Sequence, residues 1–128
     1  MNNTTKKETL AREEHWFCQR TEELFKKDRV FLNPDLDLAT LSKAYGISKR
    51  QLSVFTKTVF AKNVNELINF YRMNYVLQCL EEGQYDQYNI LSIGFSAGFS
   101  SKSTFYRVFK KAMDHTPSEY IEQLQQKS

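Results

Sequence analysis

"GFSSKSTFYRVFKK", residues 98–111, decides the fold. A glycine, an aromatic residue and two serines lead into a segment with Phe105, Val108 and Phe109 on one side at helical spacing. Ser103, Tyr106, Arg107, Lys110 and Lys111 fall on the other side. Serine ahead of such a run is a helix N-cap, and a tight bend between crossed helices needs the positive φ that glycine supplies. Residues 46–57, "GISKRQLSVFTK", follow the same plan.

The likeness extends upstream. Leu38, Leu41, Gly46, Ile47 and Ser48 match Ile90, Ile93, Gly98, Phe99 and Ser100 at an offset of 52. After one extra residue, Leu52, Phe55 and Lys57 match Phe105, Val108 and Lys110 at an offset of 53. Each half reads as a short helix, a glycine turn, an apolar residue plugging the crook (Ile47 or Phe99), a serine cap and a second helix. That is a helix-turn-helix unit, twice.

The rest of the chain fits an all-α fold. Residues 1–5 are polar and expected to fray, and a helical pattern runs from about Lys6 to Phe31. Leu10, Phe17 and Leu24 lie seven apart, Trp16 and Phe25 stand beside them, and Asn33-Pro34 breaks the run. Asp37 caps a helix over about Leu38–Tyr45, closed by Gly46, and Ser48 with Gln51 forms a capping box for one over about Lys49–Phe60. Asn63 with Glu66 caps a longer helix, about Val64–Glu82, stopped at Gly83. Its predicted buried stripe is Val64, Leu67, Ile68, Tyr71, Tyr75 and Cys79. Asn89 opens about Ile90–Ala97, Ser100 or Ser101 opens a helix to about Ala112, and Thr116-Pro117 with Glu119 opens the last, to about Leu124. The expected domains are 1–33, a polar tail with an amphipathic helix, and 34–124, a bipartite domain. The latter divides into a first unit (36–62), a linker helix (63–83), a second unit (89–113) and a C-terminal helix (116–124).

Composition sets the class. With 41% hydrophobic and 26% charged residues, the chain is an ordinary globular one rather than a disordered one. No apolar run is long enough to span a bilayer and the N-terminus lacks a signal-peptide shape, so the expected location is cytoplasmic, without membrane contact by this chain. Cys18 and Cys79 lack CxxC spacing and read as reduced packing residues. The net charge of +3 decides little, but its distribution does. From Leu38 to Asn65 and from Gln87 to Met113 there is no acid, and these windows hold nine of the 18 basic residues. Such windows suit a polyanion such as nucleic acid.

In the second helix of each unit the apolar stripe faces inward, leaving an outward arc. The first arc carries Arg50, Ser53, Val54 and Lys57, with Lys49 at its start. The second carries Lys102 and Ser103, then Tyr106 and Arg107, with Lys110 and Lys111 trailing. A major groove admits one α-helix, whose N-terminal turns reach base edges while later cations reach phosphates. Lys102, Ser103, Tyr106 and Arg107 are therefore candidate base readers and Lys110 a phosphate clamp. An isolated cation on a helix face is ordinarily just solvated, but two acid-free copies in register favour the functional reading. For Tyr106 the alternative is a half-buried aromatic closing the core edge. The nineteen residues of the linker helix, at about 1.5 Å each, span roughly 28 Å, against about 34 Å between successive turns of one groove face. One chain is thus expected to reach two adjacent major-groove segments without a dimer.

Residues 34–121 resemble the DNA-binding domain of the AraC/XylS family of bacterial transcription regulators. The resemblance is carried by "GFSSKSTFYRVFKK" followed by "TPSEY", and by Arg72 in "NFYRMNYVLQCL", where the family keeps an arginine in its linker helix. "FLNPDLDLATLSKAYGIS", "INFYR" and "FSSKSTFYRVFKK" further resemble a subgroup often placed after a multi-helix membrane segment. The resemblance implies a seven-helix bipartite fold, sequence-specific promoter binding, and activation through contact with RNA polymerase. It places Arg50, Ser53 and Val54 at base-facing positions in the first unit, and Lys102, Ser103, Thr104, Tyr106 and Arg107 in the second.

Departures from the family pattern concentrate in the first unit. Val54 stands where a polar or basic reader is common and offers only apolar contact, for example to a thymine methyl. Thr56 replaces a large apolar residue, Ala61 a glycine that ends the helix, Asp114 the equivalent second-unit glycine, and Ile121 a common arginine. The second unit is therefore expected to carry most readout and the first to act more as a backbone anchor. The family usually adds a sensing or dimerising region. Here the Lys6–Phe31 helix is open to packing on the first unit, dimerising, or joining an upstream part, and packing is preferred.

The rival reading is a protein-interaction adaptor that has kept the fold and lost DNA reading. Its weakness is that an adaptor has no need to exclude every acid from two faces. An enzyme finds no support: His15 and His115 lack the partners of a metal site or triad, no Gly-rich phosphate loop occurs, and "GFSAGF" is too apolar. No cofactor, metal or effector pocket is indicated. The operator, the signal and the sign of regulation are not written in the sequence.

Overall fold

The chain enters a long helix, α1 (Asn3–Glu22), three residues ahead of the Lys6 start that the pattern predicts. The structure, a computed structural model, describes residues 3–84 and 89–127, so residues 1 and 2 of the expected frayed tail lie outside the described residues. The regular helix also ends earlier than Phe31. It widens into a π-turn over Glu23–Lys27, closed by the Asp28 amide on the Glu23 carbonyl at 2.8 Å. That wider turn advances the helical phase, so the adjacent Leu24 and Phe25 are both buried. Arg29 then enters the left-handed region at φ 52°, and a 3-10 turn over Val30–Leu32 follows. The break thus comes ahead of Asn33-Pro34.

Beyond this point the caps act largely as the sequence predicts. Asp37 accepts from the Thr40 amide at 2.8 Å and opens α2 (Leu38–Tyr45), which Gly46 ends at φ 78°. The Ser48–Gln51 capping box opens α3 (Lys49–Phe60). Asn63 and Glu66 pair reciprocally, at 3.0 and 2.8 Å, ahead of α4 (Val64–Glu81). Asn89 departs from expectation: it precedes α5 (Ile90–Ser96) without a side-chain cap, because φ −115° and ψ 5° are not the extended backbone that capping requires. Ser101, rather than Ser100, caps α6 (Lys102–Met113). Thr116 and Glu119 form reciprocal hydrogen bonds ahead of α7 (Pro117–Lys127), which runs past the expected Leu124. Among the described residues the chain holds these seven α-helices and no strand, an all-α fold.

Two compact units share the chain, Met1–Val30 with Leu36–Leu67, and Phe31–Asp35 with Ile68–Ser128. The core of the first centres on Phe17, fully buried, whose ring stacks on Tyr45 at 5.0 Å and Phe55 at 5.1 Å and meets Phe60 at 5.7 Å. Thr21 and Tyr45 share a hydroxyl hydrogen bond at 2.6 Å, and Arg20 caps the end of α2 through the Ala44 carbonyl at 2.9 Å. Helix α1 therefore packs on α2 and α3. Leu10, the first member of its seven-residue stripe, stays exposed.

The second unit buries Met73, Val76, Leu80, Ile90, Ile93, Phe99, Phe105, Phe109 and Ile121. This corrects the predicted stripe of α4. Val64, Leu67 and Ile68 are buried, but Tyr71, Tyr75 and Cys79 are only half-buried, and Arg72, Met73, Val76 and Leu80 take the interior. The cause is the short Phe31–Asp35 segment, which belongs to this unit: Phe31 stacks on Tyr71 at 6.2 Å and meets Tyr75 edge-on at 6.3 Å.

Candidate nucleic-acid interface

Each recognition helix is aimed by its turn and rolled by its buried stripe. In the first unit the Gly46 and Ile47 amides both reach the Ser42 carbonyl, at 2.9 and 3.1 Å, which folds the chain sharply out of α2. Ile47 is only half-buried, so the expected plug is partial. The crook is filled instead by the Phe17 cluster from α1 and by Leu41 and Leu52, both fully buried. Leu52 and Thr56 face inward, the Thr56 hydroxyl donating to the Leu52 carbonyl at 2.7 Å. That roll leaves Lys49, Arg50, Ser53, Val54 and Lys57 exposed along one arc.

In the second unit the Phe99 amide reaches the Gly94 carbonyl at 3.1 Å and the Phe99 ring is buried as expected. Gly94 is required by packing, since a Cβ there would lie 2.6 Å from the Phe105 ring. Ser101 accepts from the Thr104 amide at 3.2 Å and its hydroxyl bonds the Thr104 hydroxyl at 3.0 Å. The extra residue of the second repeat therefore lies inside the turn, ahead of the cap. Phe105 and Phe109, both fully buried, hold the roll. Lys102, Ser103, Arg107, Lys110 and Lys111 are exposed, while Thr104 and Tyr106 are half-buried. The Lys102 ammonium sits 5.3 Å from the Tyr106 ring centre, and the ring meets Phe105 edge-on at 5.7 Å. Tyr106 is thus both a closure of the core edge and the floor of a cation–π pair.

Arg50, Lys57, Arg107, Lys110 and Lys111 make no hydrogen bond or ion pair with any described residue, so their charge is available to an outside anion. Asp37 lies near Lys49, and its carboxyl is held below the usual range chiefly by the Thr40 amide, next by the Thr40 side chain. Open concavities flank both helices. One, of about 410 Å³, includes Arg50 and Val54 together with Glu13 and Trp16 of α1, and one of about 450 Å³ is bounded by Ser101, Lys102, Ser103 and Tyr106. The nearness of Glu13 and Trp16 to α3 has no signature in the repeat, because α1 lies outside it. Among the described residues no group of three or more His, Cys, Asp or Glu is arranged for a metal, and no helix is long and apolar enough to cross a membrane.

A chain that carries two helix-turn-helix units, each with a capped and outwardly cationic second helix, is of the DNA-binding class. The sequence matches the family described as Helix-turn-helix domain over residues 41–123. It belongs to the AraC/XylS family and carries the DNA-binding domain of a transcription regulator. It is 30% identical over 93 residues to Regulatory protein SoxS of Salmonella typhimurium, covering 73% of this chain and 84% of that protein. It is 39% identical over 56 residues to the TCP pilus virulence regulatory protein of Vibrio cholerae, covering 44% of this chain but only 19% of that protein. A solved structure of a protein of unknown function from Listeria innocua shares the fold, with a TM-score of 0.67 at 23% identity over 80% of this chain and 92% of that one.

Proposed function

We propose that the chain binds a specific site in duplex promoter DNA, with α3 and α6 entering adjacent major-groove segments, and that it activates transcription from there. One observation carries this reading: both recognition helices contain no acidic residue and expose cations that make no ion pair with a described residue, on helices whose roll is fixed by buried residues. In this reading Arg50, Ser53 and Val54 face bases in the first unit and Lys102, Ser103, Thr104, Tyr106 and Arg107 in the second. Lys49, Lys57, Lys110 and Lys111 neutralise phosphates. RNA polymerase is the partner an activator needs, and an upstream sensing or dimerising region is the partner that would supply a signal.

Selection of bound duplexes from a randomised pool, with salt titrations on enriched and scrambled sequences, tests the reading. A motif in two blocks about one helical turn apart, bound with a steep salt slope, is expected. No enrichment and a shallow slope would refute it in favour of an adaptor.

A further inference from the structure

Trp16 is the chain's single tryptophan, and it stands 39% exposed on α1 instead of being spent in the core. Its ring meets Phe55 of α3 edge-on at 6.4 Å, which holds it beside the recognition helix. With Glu13, Ile47, Arg50 and Val54 it lines the open concavity of about 410 Å³, and Val54 is itself 56% exposed. Two positions that the proposed reading assigns to base contact therefore share a wall with a side chain from outside the helix-turn-helix.

The chemistry of that wall selects its occupant. Arg50 and Gln51 are the polar donors of the lining, and away from them a phosphate is disfavoured, because Glu13 repels it and Trp16, Ile47, Val54 and Phe55 offer nothing to replace its hydration. A major-groove base edge does fit. Thymine presents a 5-methyl group there, the one apolar feature of the groove, and Trp16 with Val54 presents apolar surface to receive it. Arg50 and Val54, both assigned to base contact in the proposed reading, lie on the same wall, so the concavity continues the proposed DNA-facing surface of α3. Resting on the DNA-binding reading above, we propose that Trp16 is a specificity-determining residue of the first unit. With Val54 it takes the 5-methyl group of one thymine, and the first unit then reads sequence as well as anchoring backbone.

The test uses the selected duplex and the whole chain. The first unit's block is the one whose base preference Arg50→Ala alters. Each thymine in it is replaced in turn by deoxyuridine, which removes only the methyl group. Burial of one methyl corresponds to about fourfold in affinity, so one position is expected to lose roughly that much and the second unit's block nothing at this site. In Trp16→Ala the thymine and uracil duplexes bind alike, while Trp16→Phe retains most of the difference. Comparing two duplexes on one variant cancels any general loss of fold. Trp16 emission reports the same event directly, shifting on the thymine duplex and less on its uracil counterpart. A penalty that persists undiminished in Trp16→Ala, or no thymine in the block showing one, overturns the proposal. Failure of the wild-type chain to prefer any duplex would appear at the selection step, and would overturn the DNA reading itself.

Discussion

Arg72 donates from Nε to the carbonyl oxygen of Phe31 at 2.8 Å, joining residues 41 apart in the chain. Its Nη2 donates to the Asn33 carbonyl at 2.9 Å, and the guanidinium lies 5.9 Å from the centre of the Phe99 ring. The residue is 8% exposed and burial lowers its pKa, yet a guanidinium is not deprotonated in proteins, so a cation is held by backbone carbonyls and an aromatic face. Gly98 completes the arrangement. At φ 109° a Cβ there would strike the Phe31 carbonyl and come within 2.7 Å of Arg72 Nε. The turn of the second helix-turn-helix is thus built against the Phe31–Asp35 segment, with Arg72 as the clasp.

Removing the clasp takes the guanidinium donors away from both carbonyls. Arg72→Ala is expected to lower stability by about 1–3 kcal/mol, since the buried hydrogen bond to the Phe31 carbonyl is lost while the carbonyl of the exposed Asn33 can turn to water. Arg72→Lys keeps the charge but lacks the planar fork that serves both carbonyls, so about half that loss is expected. Urea unfolding of the three proteins reads the difference. Coincident midpoints would mean that the clasp carries no energetic weight.

Ala61 ends α3 at φ 56°, in the left-handed region where a Cβ is strained, and Asp114 ends α6 at φ 60°. Ala61→Gly removes a conformational penalty of about 1–2 kcal/mol, partly offset by a more flexible unfolded chain. A net gain of about 0.5–1 kcal/mol is expected, seen as a higher melting temperature. Asp114→Gly is expected to gain less, because Asp tolerates this region better than Ala. Equal or opposite effects would show that the first helix end is not strained by its side chain.

Both glycine turns and most caps are legible in the sequence because they depend on a few neighbouring residues, whereas the left-handed ends at Ala61 and Asp114 are legible only through the family resemblance. Ser48 with Gln51, and Thr116 with Glu119, act through bonds that span three positions. What is not legible depends on distant partners. The π-turn at Glu23–Lys27 coincides with the burial of both Leu24 and Phe25, and no local pattern announces it. Tyr71 and Tyr75 are only half-buried and pack on Phe31, which is remote in sequence. Ile47 falls short of its role as a plug because α1 supplies Phe17 to the same core. The exposed arcs of α3 and α6 follow from helical periodicity and were readable, whereas the place of Trp16 beside α3 required the packing of a helix outside the repeat.

Acid is expected to loosen two helix starts. The Asp37 carboxyl, bonded chiefly by the Thr40 amide, and the Glu119 carboxyl, bonded chiefly by the Thr116 amide, both have pKa values lowered from 3.8 and 4.5. With the folded pKa depressed, the unfolded chain binds more protons, so this stability is present above the unfolded values and is lost as pH falls through the folded ones. The α2 and α7 starts are therefore unaffected near neutrality and weaken below about pH 4. In Asp37→Asn and Glu119→Gln the acid limb of a stability–pH curve becomes shallower. A limb that keeps its wild-type slope in both variants would assign acid sensitivity to other carboxylates.

In the proposed reading, the second recognition helix divides base reading from phosphate binding along its length. Arg107 is exposed six residues after the Ser101 cap, in the N-terminal half of α6, the part of a helix that reaches base edges when it enters a major groove. Lys110 lies exposed in the last turn, near enough to Glu119 to help lower its carboxyl pKa, and the proposed reading gives it a phosphate. Arg107→Ala is expected to weaken binding to the best site by about 1–3 kcal/mol while sparing nonspecific binding. Lys110→Ala is expected to lower the salt slope by about one and leave site preference unchanged. Titrations of both variants on selected and scrambled duplexes at several salt concentrations distinguish the roles. Equal loss on every sequence would make Arg107 a phosphate contact, and an unchanged slope would remove Lys110 from the interface.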